Sequence, residues 1–186
     1  MTYKTHLSTG MLASAIVFLL IYDISFSPFL IIALILATWL GSSAPDLDTP
    51  TGGLWGKIPA GSWIGRLVRP VFLGGHRHLS HSLIGLCLFA WIFWLFLSWV
   101  AVYFPFLPSP SLLLPFVLGY VAHLLADSFT EAGVPLLFPI GYHFGIPPDP
   151  FGKIRIKTGK WFENLIIYPV VNFALLFVIL RYFHLI

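Results

Sequence analysis

Long apolar stretches alternate along the chain with short breaks rich in polar residues, glycine and proline. The apolar stretches are too long and too uniform for half-buried helices of a soluble domain. They approach the ~20 residues that a helix needs to cross a bilayer. They run from about Leu7 to Tyr22, Phe29 to Ser43, Ser82 to Phe104, Leu112 to Phe129 and Phe162 to Phe183. The first two are short for full spans, and only Asp23 to Pro28 separates them, so a helical hairpin is expected. Pro105 to Pro110 breaks the third stretch from the fourth, and Pro169 predicts a kink in the fifth. Of the two longer connections, Pro45 to Gly75 carries Trp55, Trp63, Arg66 and Arg69, residues that anchor a segment at the membrane interface. The other, Glu131 to Lys160, ends in the alternating Lys153-Ile154-Arg155-Ile156-Lys157, which reads as a short strand or hairpin. No internal repeat or low-complexity tract interrupts the pattern. The expected fold is all-α, a polytopic membrane bundle of about five helices forming one domain over residues 1–186.

Composition agrees: 58% of residues are hydrophobic and 9% charged, against about 25% charged in a soluble domain. Mean hydropathy is +0.91. The run from Met11 to Ile21 follows a basic start at Lys4, as in a signal peptide. However, Tyr22, Asp23 and Ile24 come next instead of a small-residue cleavage site, so a retained helix is expected. The single cysteine, Cys87, lies in an apolar run and reads as a small apolar filler, which argues against a cysteine nucleophile or metal ligand. Lys4, Lys57, Arg66, Arg69, Arg77, Lys153, Arg155, Lys157 and Lys160 flank one side of a five-span arrangement, and only Arg181 flanks the other. This bias predicts a plasma-membrane protein with its N-terminus and both long loops in the cytoplasm and its C-terminus outside. With the few charges explained by orientation, nucleic-acid binding is not expected.

The residue types that bind metals collect at that same side. His6 begins the first helix. Asp46 and Asp48 end the second, in Pro45-Asp46-Leu47-Asp48, and His76, His78 and His81 precede the third. His123 and Asp127 lie in the last turns of the fourth, and Glu131 follows one turn later. Each has a plain structural reading: a solvated terminal histidine, a helix stop, an interfacial histidine cluster. The pair His123 and Asp127 resists that reading, because i and i+4 share a helix face and ionisable groups inside an apolar span are costly and usually functional. Histidine and carboxylate ligands suit zinc, with manganese or iron as alternatives. The set is large enough for two ions, and two ions bridged by a carboxylate form a hydrolytic site. Arg77 offers forked donors for a phosphate, and Glu131 is a candidate proton acceptor.

Thr5-His6-x-x-x-Gly10, Pro45-Asp46-Leu47-Asp48, His76-Arg77-x-x-Ser80-His81-Ser82 and Gly119-Tyr120-x-x-His123-x-x-x-Asp127-Ser128-Phe129-Thr130 together resemble the YdjM family. Its members are bacterial and archaeal inner-membrane proteins described as membrane-bound, metal-dependent hydrolases. The later Leu137-Phe138-Pro139 resembles the family pattern too, so the likeness covers the chain from Thr5 to about Pro139. The motif layout is also similar to that of zinc-dependent phospholipase C, a helical fold with a multi-zinc site. That likeness implies His6, Asp46, Asp48, His76, His81, His123 and Asp127 as metal ligands. His78 stands where a small residue is expected and reads as a bystander.

The leading expectation is a metal-dependent hydrolase, with one or two zinc ions, acting on a phosphoester of a phospholipid or lipid-linked substrate at the cytoplasmic leaflet. The ligand types also allow a metal or ion transporter, although nothing ionisable lies midway along the first, second, third or fifth helix. A non-catalytic scaffold tied by metal is a third reading. An intramembrane metalloprotease is weaker, since no H-E-x-x-H motif is present.

Overall fold

A computed structural model describes residues 1–21, 27–49, 53, 55–68, 78–105 and 109–186. Helix α1 spans Tyr3–Ala15 and continues as a π-helical stretch, Ile16–Ile21. Helix α2, Pro28–Ser43, starts on a Ser27 cap with proline at the first turn and ends in a 3-10 extension, Ala44–Asp48. These extensions lengthen the two stretches that looked short in the sequence, giving apolar segments of 19 and 21 residues. A short helix, α3, spans Gly61–Val68. Helices α4 (Leu83–Tyr103) and α5 (Ser109–Ser128) follow. The last span combines a π-helical stretch, Glu163–Ile167, with α6, Tyr168–Tyr182. The wide π turns precede Pro169, whose ring would otherwise press on the carbonyl four residues back. Among the described residues, five helices are therefore long and apolar enough to cross a membrane, as the hydropathy pattern predicts.

Among the described residues there is no strand. The expected strand over Lys153–Lys157 is instead a 3-10 turn, Phe151–Ile154, followed by one isolated bridge from Ile156 to Thr130. Proline and glycine on the preceding segment leave no extended partner long enough for a ladder. Of the turn expected over Asp23 to Pro28, residues 23–26 lie outside the described residues, as do 106–108 of the break expected over Pro105 to Pro110.

Helix α5 is the hub and packs against α1, α2 and α4, while the last span leans on α1. In the apolar window of α5, 61% of residues are buried, against 6% in the last span, whose remaining surface faces lipid. Leu112, Phe116, Tyr120 and Leu124 recur every fourth residue and form the buried stripe of α5. Phe116 stacks on Phe93 of α4 with ring centroids 4.3 Å apart.

Toward the other end of α5 the packing changes character. A Cβ on Gly119 would lie 2.8 Å from the Ser42 nitrogen and 2.9 Å from its Oγ, and one on Gly10 would collide with that hydroxyl and lie 3.3 Å from the Gly119 Cα. Small residues thus let the backbones of α1, α2 and α5 meet, which replaces the hydrophobic drive that lipid does not supply between helices. Ser14 and Thr38 add a 2.9 Å hydroxyl contact between α1 and α2. Gly10, Ser42 and Gly119 each lie four residues from His6, Asp46 and His123. The close-packed point therefore sets where three candidate ligands can be.

Candidate metal centre

Four chain segments deliver side chains to one end of the bundle. His6 comes from the first turns of α1 and Asp46 from the 3-10 extension of α2. His81 comes from a 3-10 turn, Leu79–His81, that leads into α4, and His123 and Asp127 come from one face of α5. The sequence around His81 explains its pose. Ser82 caps α4, accepting from the Gly85 nitrogen at 3.0 Å and donating to the Leu79 carbonyl at 2.7 Å, which fixes the turn and points His81 inward. His6, His81, His123 and Asp127 are almost completely buried, and the Asp46 side chain keeps 19% exposure.

Among the described residues, two groups offer ligand atoms within 4.8 Å of one another: His6, His123 and Asp127, and Asp46, His81 and His123. The rings of His6 and His123 stack at 3.6 Å, nearly parallel at 7°, and the His81 and His123 centroids are 5.2 Å apart. Hydrogen bonding fixes which nitrogens face inward. His123 Nδ1 lies 2.8 Å from the Ser42 carbonyl, which can only accept, so Nδ1 carries a proton and in the neutral ring Nε2 holds a lone pair. Ser80 Oγ donates to Asp48 Oδ2 at 2.6 Å, so its oxygen accepts from His81 Nδ1 at 3.1 Å. In the neutral ring His81 Nε2 also turns a lone pair inward. That lone pair faces Asp127 Oδ2 at 3.6 Å and Asp46 Oδ1 at 3.8 Å. His123 Nε2 faces the same two oxygens at 3.9 and 3.7 Å and has no hydrogen-bond partner among the described residues.

Lone pairs and carboxylate oxygens pointed at one another repel unless a cation lies between them, so this donor set fits a divalent metal ion. Asp127 divides its two oxygens. Oδ2 faces His81 and His123, whereas Oδ1 faces His6 Nε2 at 3.2 Å and accepts from the amino group of Met1. Asp127 thus presents one oxygen to each group of candidate ligands.

An outer layer holds these ligands. Asp48 lies on the Nδ1 side of His81, 3.9 Å away, and also accepts from Thr49 Oγ1 at 2.9 Å. Tyr120 donates to the Ser80 carbonyl. The Ser42 carbonyl, Ser80 and Asp48 thus hold the ligand imidazoles by their outer nitrogens, the usual arrangement around bound metals. Glu163, fully buried at the head of the last span, accepts from the Thr2 nitrogen at 2.6 Å, Thr2 Oγ1 at 2.7 Å, Thr5 Oγ1 at 2.7 Å and the Gly159 nitrogen at 2.7 Å. It ties down the first turn of α1, next to His6.

Of the residues singled out in the sequence, the structure brings His6, Asp46, His81, His123 and Asp127 together. Asp48 stands behind His81 and, among the described residues, belongs to neither donor group. His76 and Arg77 lie outside the described residues. His78 packs edge-on to Phe138, 6.1 Å between centroids, and among the described residues belongs to neither group. Glu131 is exposed, 3.6 Å from Lys157, and lines a cavity of about 500 Å³ with His143, Asp149, Lys153 and Arg155. The donor residues do not line that cavity. Sequence reading missed the support roles of Ser42, Ser80, Tyr120 and Glu163. Ser80 and Tyr120 stand inside quoted motifs, and Glu163 was legible only as a carboxylate at the head of an apolar run.

The sequence matches the family described as YdjM inner membrane protein over residues 1–185. The chain belongs to that family. It is 36% identical over 105 residues to "Inner membrane protein YdjM" of Escherichia coli (strain K12), covering 55% of this chain and 47% of that protein. The protein of the same name from Shigella flexneri gives the same figures. The aligned chain thus spans about half the length of these curated relatives. "Uncharacterized protein YvsG" of Bacillus subtilis (strain 168) is 28% identical over 167 residues, 90% of this chain and 88% of that one. No solved structure matches.

Proposed function

We propose that this membrane protein holds one or two divalent metal ions, zinc foremost, and hydrolyses a phosphoester of a phospholipid or lipid-linked substrate at the cytoplasmic leaflet. The observation that carries the reading is the convergence of the His81 and His123 Nε2 atoms with Asp46 and Asp127 oxygens, 3.6–3.9 Å apart, at the end of a bundle of apolar helices. His81, His123, Asp46 and Asp127 would hold one ion, and His6 with the other Asp127 oxygen would contribute to a second. Such an ion acidifies bound water toward neutral pH and polarises a phosphoryl oxygen. The chain's own part is to place and orient the donors. The Ser42 carbonyl and Ser80 fix the ring tautomers, and the 19% exposure of the Asp46 side chain supports approach of substrate from its side. Arg77, four residues before His81 in the sequence, is the candidate for holding the phosphate, and Glu131 for taking a proton. The lysine and arginine bias of the loops supports the cytoplasmic orientation.

The near-complete burial of His6, His81, His123 and Asp127 favours a second reading, a closed structural site that ties helix ends together without catalysis. Elemental analysis of the purified protein, followed by assay on phospholipid and lipid-phosphate vesicles before and after chelation, separates the two. Stoichiometric metal with turnover that is lost on chelation and regained on metal addition supports the hydrolase. Stoichiometric metal with no turnover on any phosphoester supports the structural site, and absence of metal after gentle purification would overturn both.

A further inference from the structure

Helix α3 is built the wrong way round for a helix that packs on protein. Among its described positions the buried ones are Gly61 and Gly65, four residues apart on one face. The larger apolar side chains point outward: Trp63 is 62% exposed, Leu67 59% and Ile64 37%. Together with Ala60 these occupy positions i, i+3, i+4 and i+7, one apolar face of a helix. The glycine face lies against the 3-10 turn Trp55–Lys57 and against the Ala44–Asp48 extension of α2, which carries Asp46 and Asp48. Trp55 closes that contact by donating from Nε1 to the Leu47 carbonyl at 3.0 Å. The helix is thereby held at the level where the second span leaves the apolar layer. Its cationic neighbours are Lys57, with Nζ 5.9 Å above the Tyr3 ring, and the exposed Arg66.

We propose that α3 lies in the headgroup layer of the leaflet at the metal end, with Trp63, Ile64 and Leu67 dipping into the acyl boundary and Lys57 and Arg66 meeting anionic lipid. An amphipathic helix with tryptophan and leucine on one face and cations at its margin is the form that occupies this layer. An apolar face that is exposed at a membrane surface already fixed by five spans has lipid as its natural cover. Anchored there, α3 holds the Asp46 turn at headgroup height through Trp55 and Leu47. The inference stands on the helix itself and does not depend on whether the centre is catalytic.

The test uses the full chain with Cys87→Ser, reconstituted in vesicles of phosphatidylcholine alone or mixed with phosphatidylglycerol. Nitroxide labels are placed singly at Trp63→Cys, Leu67→Cys, Ser62→Cys and, as a solvent reference, Gly141→Cys, where the structure shows open space. Labels at 63 and 67 should be relaxed strongly by oxygen and weakly by a water-soluble nickel chelate, while those at 62 and 141 show the reverse. Equal nickel access at 63, 67 and 141 would overturn the proposal. Phosphatidylglycerol should shift the 63 and 67 labels deeper, and Lys57→Gln with Arg66→Gln should remove that shift. An identical depth in both lipids would overturn the anionic-lipid contact. Loss of brominated-lipid quenching in Trp63→Phe, with no label attached, provides an independent measure of the same insertion, and quenching unchanged in that variant counts against it.

Discussion

The two ends of this bundle are made from the same helices and obey different rules. At the far end, among the described residues, large apolar side chains stand exposed, with Ile21 at 67%, Val102 at 74% and Phe177 at 58%. In the sequence Arg181 is the one lysine or arginine on that side. Those side chains suit a lipid cover, and the contacts between helices there, such as Phe116 on Phe93, are apolar and non-directional. At the metal end, among the described residues, the fully buried side chains include Thr5, His6, Asp48, His81, His123, Asp127 and Glu163, and small residues draw the backbones into contact. A buried polar group without partners costs several times what a made hydrogen bond returns, so each of these groups demands a placed neighbour. The far end is consequently tolerant and the metal end is specified atom by atom.

The sharpest way to break this contrast is to remove a ligand. His123→Ala and Asp127→Ala should lose the bound metal and at least about a thousandfold of any hydrolytic rate, while the five spans stay inserted; elemental analysis and vesicle assays read the effect. Retained metal in both variants would falsify the assigned centre. Next in size is Gly119→Val, which drives a branched side chain into Ser42 where α2 meets α5. It should destabilise the bundle by about 3 kcal/mol and displace His123, measured as a fall in detergent-denaturation midpoint together with weaker metal binding. Glu163→Ala leaves the donors of Thr2, Thr5 and Gly159 unmatched and should cost about 1–3 kcal/mol. Because it loosens the turn beside His6, metal affinity should fall with it, and Glu163→Gln should restore part of both. Tyr120→Phe removes only the bond to the Ser80 carbonyl and should cost about 1 kcal/mol with a modest drop in metal affinity. Phe177→Ala at the lipid-facing far end is the matching control, expected to stay within about 0.5 kcal/mol. A large effect there would mean that the last span is packed against something other than lipid.

Much of the site was legible because apolar spans make ionisable residues conspicuous. His123 and Asp127 stand out in α5 as an i, i+4 pair, and an up-and-down path through five spans brings them level with His6, Asp46 and His81. The distinction between Asp46 and Asp48 was not legible. They sit two residues apart in one motif, and only the 3-10 turn sends Asp46 toward the His81 and His123 Nε2 atoms and Asp48 toward His81 Nδ1. Glu163 escaped for a related reason. Its partners Thr2 and Thr5 lie some 160 residues away, and nothing in the local sequence says that they will meet.

The sequence by itself determined that the chain crosses a membrane, roughly where, and which end carries the chemistry, because hydropathy and charge act on each segment independently of the others. It also determined the ligand types. Tertiary structure alone decided which nitrogen of each histidine faces inward, that Asp127 turns one oxygen to each donor set, and that α3 faces outward with its apolar side. Those outcomes depend on the Ser42 carbonyl, the Ser80 hydroxyl, the glycine contacts among α1, α2 and α5, and the contact of Gly61 with Trp55. Each is a directional, short-range interaction between residues far apart in the chain, and such interactions exist only after the helices have packed.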